Sequence, residues 1–321
     1  MSQFLDRIKR RMPARLITRL TPQQRIDLEL MTLDNSNAPS PFQPSHVLWA
    51  QLSKSFEQRL HMDGIDNVEN SYLNSWFFGH APGHKKYYHY ALWLLYSRVR
   101  ERDRHGLLDR IKPSGNSEKG VVVELDGHSL SWDYLISVDT AISLAEIEPR
   151  LLTDAMIVAE LGAGWGRLGY VLKAINPRLT YIDCDIPVSL IVAQNYLPKT
   201  LPGETVYPYA INREISEFSR SYFLARQGLH FCGAHHLARF KDRSVDFFVN
   251  INSFGEMSKE QVTEYLGIAA RVTDRALYIL QRDAGDIIKR AEYPYPDGWP
   301  ILFDRPVSFA PNYFEAACLR I

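Results

Sequence analysis

The sequence predicts an α/β protein in which a Rossmann-like, mainly parallel sheet follows a mainly helical N-terminal region carrying one β-hairpin. Three observations carry this. From Ala155 onward, short apolar runs alternate with amphipathic segments, the pattern of strands joined by crossover helices. Upstream of that point the apolar periodicity is helical instead. At the junction, the run MIVAEL leads straight into Gly162, Gly164, Gly166 and Gly169, the strand–turn–helix geometry in which bare backbone N–H groups meet a ligand. The chain therefore divides into residues 1–150, helical with a hairpin, and residues 151–321, the sheet domain.

The N-terminal twenty residues place Phe4, Leu5, Ile8, Met12, Leu16 and Leu20 on one approximate helical face opposite six Lys and Arg, with Pro13 bending or breaking it. Such an arm suits an anionic membrane surface, or packing on the body of the protein or on a second copy in a homo-oligomer. It lacks the apolar core and cleavage site of a secretory signal. The loop Leu33 to Pro44, rich in Asn, Ser and Pro, reads as flexible, and helices follow at about Pro44 to Met62, Lys85 to Asp103 and Trp132 to Glu148. Between the last two, VVVELDGHSL sets a β-branched run before Asp126-Gly127, the dipeptide of a tight hairpin turn. The second half then reads as strand MIVAEL, helix Arg167 to Ile175, strand LTYIDC, helix Val188 to Tyr196, strand TVYPY and helix Arg213 to Arg226. Strands LHFC and VDFFVNI, a helix from Lys259 to Val272 and the strand ALYIL complete it.

Composition narrows the function classes. With 45% hydrophobic and 12% aromatic residues the chain can bury a core, which excludes a disordered protein. Lys+Arg and Asp+Glu both number 37, so there is no basic field to concentrate nucleic acid. No apolar run approaches the roughly 20 residues that span a bilayer. Cys184, Cys232 and Cys318 lie far apart without a CxxC pair, which points to a reducing, cytoplasmic interior and away from a thiolate metal site; no metal is expected.

The glycine loop is a nucleotide-cofactor site. Gly164, Gly166 and Gly169 satisfy GxGxxG, which a nicotinamide or flavin enzyme would share. Glu160, two residues before Gly162, decides between cofactors: a carboxylate there repels a pyrophosphate and attracts a cationic amino-acid moiety. S-adenosylmethionine carries a sulfonium, an ammonium and no phosphate. The next strand ends in Asp183-Cys184-Asp185-Ile186-Pro187, where an acid accepts hydrogen bonds from ribose hydroxyls of either cofactor class.

ELGAGWGRLGYVL, YIDCDIP and VDFFVNINSFGEMSKEQVTEYL together resemble the sugar O-methyltransferase family of bacteria, a branch of the class I S-adenosylmethionine-dependent methyltransferases. The likeness is strongest over residues 155–281, and LDGHSLSWDYL fits it too. It implies the Rossmann-like methyltransferase fold, with Glu160, Gly162, Ala163, Gly164 and Gly166 around the methionine part and Asp185 on the ribose. Asp185-Ile-Pro also looks like the Asp-Leu-Pro of plant small-molecule O-methyltransferases; the competing role for Asp185 is a helix N-cap. Where many class I enzymes carry an acid for the adenine, this chain has Cys-Gly-Ala-His-His-Leu from Cys232. Backbone groups of Ala234 and His235 could meet the adenine edge with His235 stacking on it, or the segment is plain loop packing.

Methyl transfer to a sugar hydroxyl needs a base at the end of the VDFFVNI strand. Asn250, Asn252, Ser253 and Glu256 lie there. Glu256, ten residues after Asp246, stands near the offset of the catalytic histidine in plant O-methyltransferases, so similarity of position suggests the general base; a helix-end carboxylate is the alternative. Asn252 and Asn250 could orient hydroxyls, or stabilise the turn. The N-terminal region would supply the acceptor pocket, through Asn74 to His80 and His84 to Tyr90, or those aromatics are core. Glu292 to Trp299 is either a pocket wall or an ordinary loop. The expected activity is methylation of a nucleotide-linked or glycan-borne sugar. The alternatives are a non-sugar acceptor or a non-catalytic S-adenosylmethionine-binding partner.

Overall fold

The computed structural model describes residues 18–39, 42–43, 53–54, 56–58, 60–62, 64–65, 85–112, 122–283, 288–307, 310 and 312–321. Helix α1 (Pro22–Ser36) starts at a capping box, Thr21 accepting from the Gln24 N–H and Gln24 returning the bond, with Pro22 at the first helical position. Helix α2 (Lys85–Arg102) is followed by the hairpin β1 (Val123–Leu125) and β2 (His128–Leu130), whose turn residues Asp126 and Gly127 have φ of 50° and 82°. Helix α3 (Trp132–Ile147) is apolar nearly all round, the mark of a helix buried on every side, and it packs against α2 and against the helix that follows the glycine loop.

The sheet alternates with helices as the sequence predicts: β3 (Ile157–Leu161), α4 (Arg167–Ile175), β4 (Thr180–Asp185), α5 (Pro187–Thr200), β5 (Val206–Tyr207), β6 (Leu229–Gly233), β7 (Val245–Ile251), α6 (Lys259–Val272) and β8 (Thr273–Arg282). Two further strands, β9 (Ile301–Pro306) and β10 (Tyr313–Leu319), close it in the order β5-β6-β4-β3-β7-β8-β10-β9. All neighbours from β5 to β8 are parallel, whereas β10 inserts antiparallel between β8 and β9. That reversed hairpin separates this Rossmann-like sheet from the all-parallel dinucleotide fold. Successive strand residues feed two cores, one on each sheet face: Val158, Tyr181, Phe231 and Val249 on one, Ala159, Ile182, Cys232 and Phe248 on the other. The first core continues into α2 and α3 through Leu95, Leu135 and Val138. The three cysteines are buried free thiols. Among the described residues no helix is long and apolar enough to cross a membrane.

Two expectations are corrected. The predicted helix from Arg213 to Arg226 is broken into Tyr209–Asn212 and Arg220–Leu224 because Phe218 pairs with Phe240 as a β-bridge, its N–H bonding the Arg239 carbonyl. The loop expected from Leu33 begins only after α1 ends at Ser36. The arm before Thr18, the Asn74 to His80 cluster and His84 lie outside the described residues.

Tyr88 belongs to the core. It is 8% exposed, and its hydroxyl accepts from the Trp132 N–H at 3.2 Å. Tyr88→Ala should therefore lower stability by about 3 to 5 kcal/mol, the range for emptying a buried aromatic site, and chemical denaturation would read it. A raised acceptor KM at unchanged stability would place the side chain in the pocket instead.

Candidate functional site

The carboxyl edge of the parallel strands builds one recess. Its larger part, a cavity of about 200 Å³, is lined by the glycine loop, Glu160, Asp185, Ser189, Asn252 and Glu256, together with Asp133, Trp165 and Arg167. A narrower part of about 70 Å³ shares Gly162, Asp185, Ser253 and Glu256 and continues past Ile186 and Ala234 to Phe42, Met257 and Tyr265. Thus Glu160, Gly162, Ala163, Gly164, Asp185, Ala234, Asn252 and Glu256 of the sequence-predicted residues are brought together.

The loop conformation explains its glycines. Gly162, Gly164 and Gly166 have φ of 76°, 65° and 85°, the left-handed region that side chains avoid. A Cβ at Gly162 would lie 2.4 Å from Ser253 Cβ and one at Gly166 would meet Leu197 at 2.7 Å, so those two glycines permit close packing. A Cβ at Gly164 meets nothing within 4 Å; here the bare backbone opens on the cavity. Gly169 has another function: its Cβ would fall 2.3 Å from the Tyr181 ring, so it seats α4 on the sheet. Gly169→Val should cost about 1 to 3 kcal/mol by overpacking, visible as a lowered denaturation midpoint. An unchanged midpoint would refute that packing role.

Asp185 is not the N-cap of α5; that position is Ile186. Its Oδ2 accepts the Gly164 N–H at 2.7 Å and its Oδ1 the Ile186 N–H at 2.6 Å. It therefore fixes the loop while keeping lone pairs for a ligand hydroxyl, because an ionised carboxylate can accept about four hydrogen bonds. Glu160 is buried and accepts from the Tyr181 hydroxyl. Burial pushes Glu160 up to about 7, against the Tyr181 hydrogen bond and the Arg167 charge. Burial likewise pushes Asp185 up to about 7, opposed by the Gly164 and Ile186 N–H groups.

The signs of two pH effects follow. Between the ordinary carboxyl range and about 7 the folded protein holds protons that the unfolded chain has released, so stability contributed by these groups falls as pH rises through that window. A ligand ammonium beside these groups prefers the ionised carboxyls, so its affinity should rise with pH over the same range, by at most about tenfold per pH unit for each proton displaced. Melting curves and titrations of the protein with S-adenosylhomocysteine between about pH 5.5 and 8 should move oppositely. Parallel movement would contradict the assignment.

At the end of β7, Asn250 is fully committed to structure. Its amide donates to the Leu161 carbonyl and to Ser253 Oγ, and its Oδ1 accepts from Gln281 and the Phe254 N–H. Asn252 differs. It sits in the left-handed region at φ 59°, its N–H donates to the Leu280 carbonyl, and its buried Oδ1 has no hydrogen-bond partner. Strained backbone with an unsatisfied buried acceptor beside a cavity is how a ligand-binding residue presents itself. Glu256 lines both parts of the recess. The capping bonds of α6 are made by a reciprocal box between Ser258 and Gln261, two residues beyond Glu256, so Glu256 is not the capping residue.

His235 is placed elsewhere. Its ring lines a second hollow of about 510 Å³ with Asp34, Arg213 and Arg239, on the far side of Phe42. His235 is not among the residues that line the recess beside Ala234: it lies in a 3-10 helix, Ala234–Arg239, with its ring close against Gly233, where a Cβ would fall 2.5 Å from it. His236 is fully buried, its ring stacked on Tyr209. Among the described residues no group of three or more His, Cys, Asp or Glu is placed to hold a metal ion. Sequence reasoning missed Asp133, Arg167, Phe42 and Tyr265. Only Arg167 carried a signal, as a cation in the first turn of the glycine-loop helix, where the helix dipole disfavours it.

No family model matches the chain, and no curated protein matches it. Solved structures do. An S-adenosylmethionine-dependent methyltransferase from Aquifex aeolicus is 15% identical over 70% of this chain and 98% of its own, with a TM-score of 0.40. The magnesium protoporphyrin IX methyltransferase of Synechocystis PCC 6803, solved with bound S-adenosylhomocysteine, is 14% identical over 70% of this chain and all of its own, with a TM-score of 0.44. TrmN from Thermus thermophilus is 16% identical over 60% of this chain and 49% of its own, with a TM-score of 0.40.

Proposed function

We propose that this protein binds S-adenosylmethionine and transfers its methyl group to a hydroxyl of a sugar. The observation that carries the cofactor is the charge and shape of the recess: a glycine loop with one bare, cavity-facing turn at Gly164, lined also by the buried carboxyls of Asp185 and Glu160. The residues fit the group. Asp185 has lone pairs left for ribose hydroxyls, Ala234 and Tyr265 border the narrow apolar part where an adenine lies, and Glu160 faces the amino-acid end. A dinucleotide pyrophosphate at the loop would meet Glu160 and be repelled. The sugar acceptor is supported by the resemblance of the glycine-loop, YIDCDIP and NINSFGEM segments to the sugar O-methyltransferase family, and the free thiols fit a reducing cytoplasm.

When bound, S-adenosylmethionine supplies a methyl group activated by a sulfonium that becomes a neutral thioether. The protein supplies the rest. Glu256 accepts the proton of the acceptor hydroxyl as its oxygen bonds the methyl carbon, and Asn252 Oδ1 orients that or a neighbouring hydroxyl. Positioning at about 3 Å converts an encounter into a unimolecular step. Mass spectrometry after incubation with cofactor and a panel of sugars, sugar nucleotides and phenols tests the reading. A sugar gaining one methyl group is the expected product. Methylation confined to a phenol would overturn the sugar assignment, and cofactor binding without any product would favour a non-catalytic partner.

A further inference from the structure

We infer that the Asp133–Arg167 ion pair reads the amino-acid head of the cofactor, with Arg167 holding its carboxylate. This rests on the S-adenosylmethionine reading above and adds the part of the site that sequence analysis did not see. Arg167 is the first residue of α4, directly after the left-handed Gly166. A cation at a helix N-terminus opposes the helix dipole, so its placement needs another cause. Asp133, in the first turn of α3, supplies half of it, accepting from Arg167 Nη1 at 2.5 Å.

The pair spans two walls of the same cavity, and both residues line it. Asp133 is buried, whereas Arg167 retains 16% of its side-chain exposure. Asp133 takes one guanidinium nitrogen, and no other Arg167 nitrogen is buried without a partner. The remaining N–H groups are thus accessible, on a residue that lines the recess. Arg167 is also the single cation among the described residues lining that cavity, against Asp133, Glu160, Asp185 and Glu256. An α-amino acid is a zwitterion. Its ammonium finds acids in abundance here, and its carboxylate finds one partner, a planar fork preoriented by Asp133. Glu160 and Arg167 then grip opposite ends of the same head group, consistent with the Arg167 charge being felt at Glu160.

The test compares two ligands that share the adenosine and differ in that head: S-adenosylhomocysteine, which has it, and methylthioadenosine, which lacks it. Calorimetric affinities are measured for the wild type, for Arg167→Gln, and for the double variant Asp133→Asn with Arg167→Gln, which avoids stranding a buried carboxylate. Both variants should bind S-adenosylhomocysteine about ten- to a hundredfold more weakly, the range for a charged hydrogen-bonded contact, and methylthioadenosine within about twofold of wild type. Equal loss for both ligands in folded protein would make the pair a loop brace, and no loss for either would remove it from the site; each result overturns the inference alone. A wild type that binds neither nucleoside would take down the cofactor reading itself.

Discussion

Glu256→Gln should lower kcat by about a hundredfold or more, the usual contribution of a positioned general base, and leave cofactor affinity close to wild type. Glutamine keeps the size and a hydrogen-bonding tip but takes no proton, so the change isolates the chemical step. The capping bonds of α6 are made by Ser258 and Gln261, so loss of the Glu256 charge should cost no more than the roughly 0.3 to 1 kcal/mol of a helix-dipole contact. A variant that melts early yet turns over normally across about pH 6 to 9 would return Glu256 to a structural role. With His235 facing the second hollow and His236 stacked on Tyr209, Asn252 would then be left to orient an acceptor that needs no protein base.

The second large effect concerns Asp185. Asp185→Ala removes the acceptor of the Gly164 N–H as well as the proposed ribose contact, and should weaken S-adenosylhomocysteine binding by about ten- to a hundredfold. Asp185→Asn provides the internal comparison. Its amide oxygen can still accept from Gly164, so the loop can hold while the charged acceptor for the ribose is lost. An intermediate affinity for the Asn variant is the expected order. Undiminished binding by a folded Ala variant would contradict the ribose assignment.

The sheet domain was legible because each signal was local. MIVAEL, VDFFVNI and the Lys259 to Val272 helix carry their period within a few residues, and the structure places β3, β7 and α6 on them. Asp126-Gly127 likewise marked the hairpin by its own dihedral preference. What escaped was decided at a distance. Strands β9 and β10 exist by pairing with each other and with β8, while Pro306 and the exposed Ile301 and Leu302 blur the alternation. Helix α1 offered Thr21-Pro22 and Gln24 as a start signal, but its apolar face is thin, with only Leu28 and Met31 buried. The helix expected through Phe218 was overridden by a bridge to Phe240.

The site divides the same way. Glu160, the loop glycines and Asp185 follow one another along β3 and β4, so their convergence could be read directly. The Asp133–Arg167 pair joins residues 34 positions apart, and no periodicity announces it. The histidines show the opposite failure. Two adjacent imidazoles invited a site role, yet in a 3-10 turn one borders the second hollow and the other is fully buried.

The central claim is that the recess is built for S-adenosylmethionine and not for a dinucleotide, and one calorimetric experiment addresses it: titration of the wild-type protein with S-adenosylhomocysteine and, separately, with NAD. The account predicts saturable binding of S-adenosylhomocysteine that strengthens as pH rises through about 7, where Glu160 and Asp185 ionise, and no binding of NAD. Saturable NAD binding with none for S-adenosylhomocysteine would contradict it.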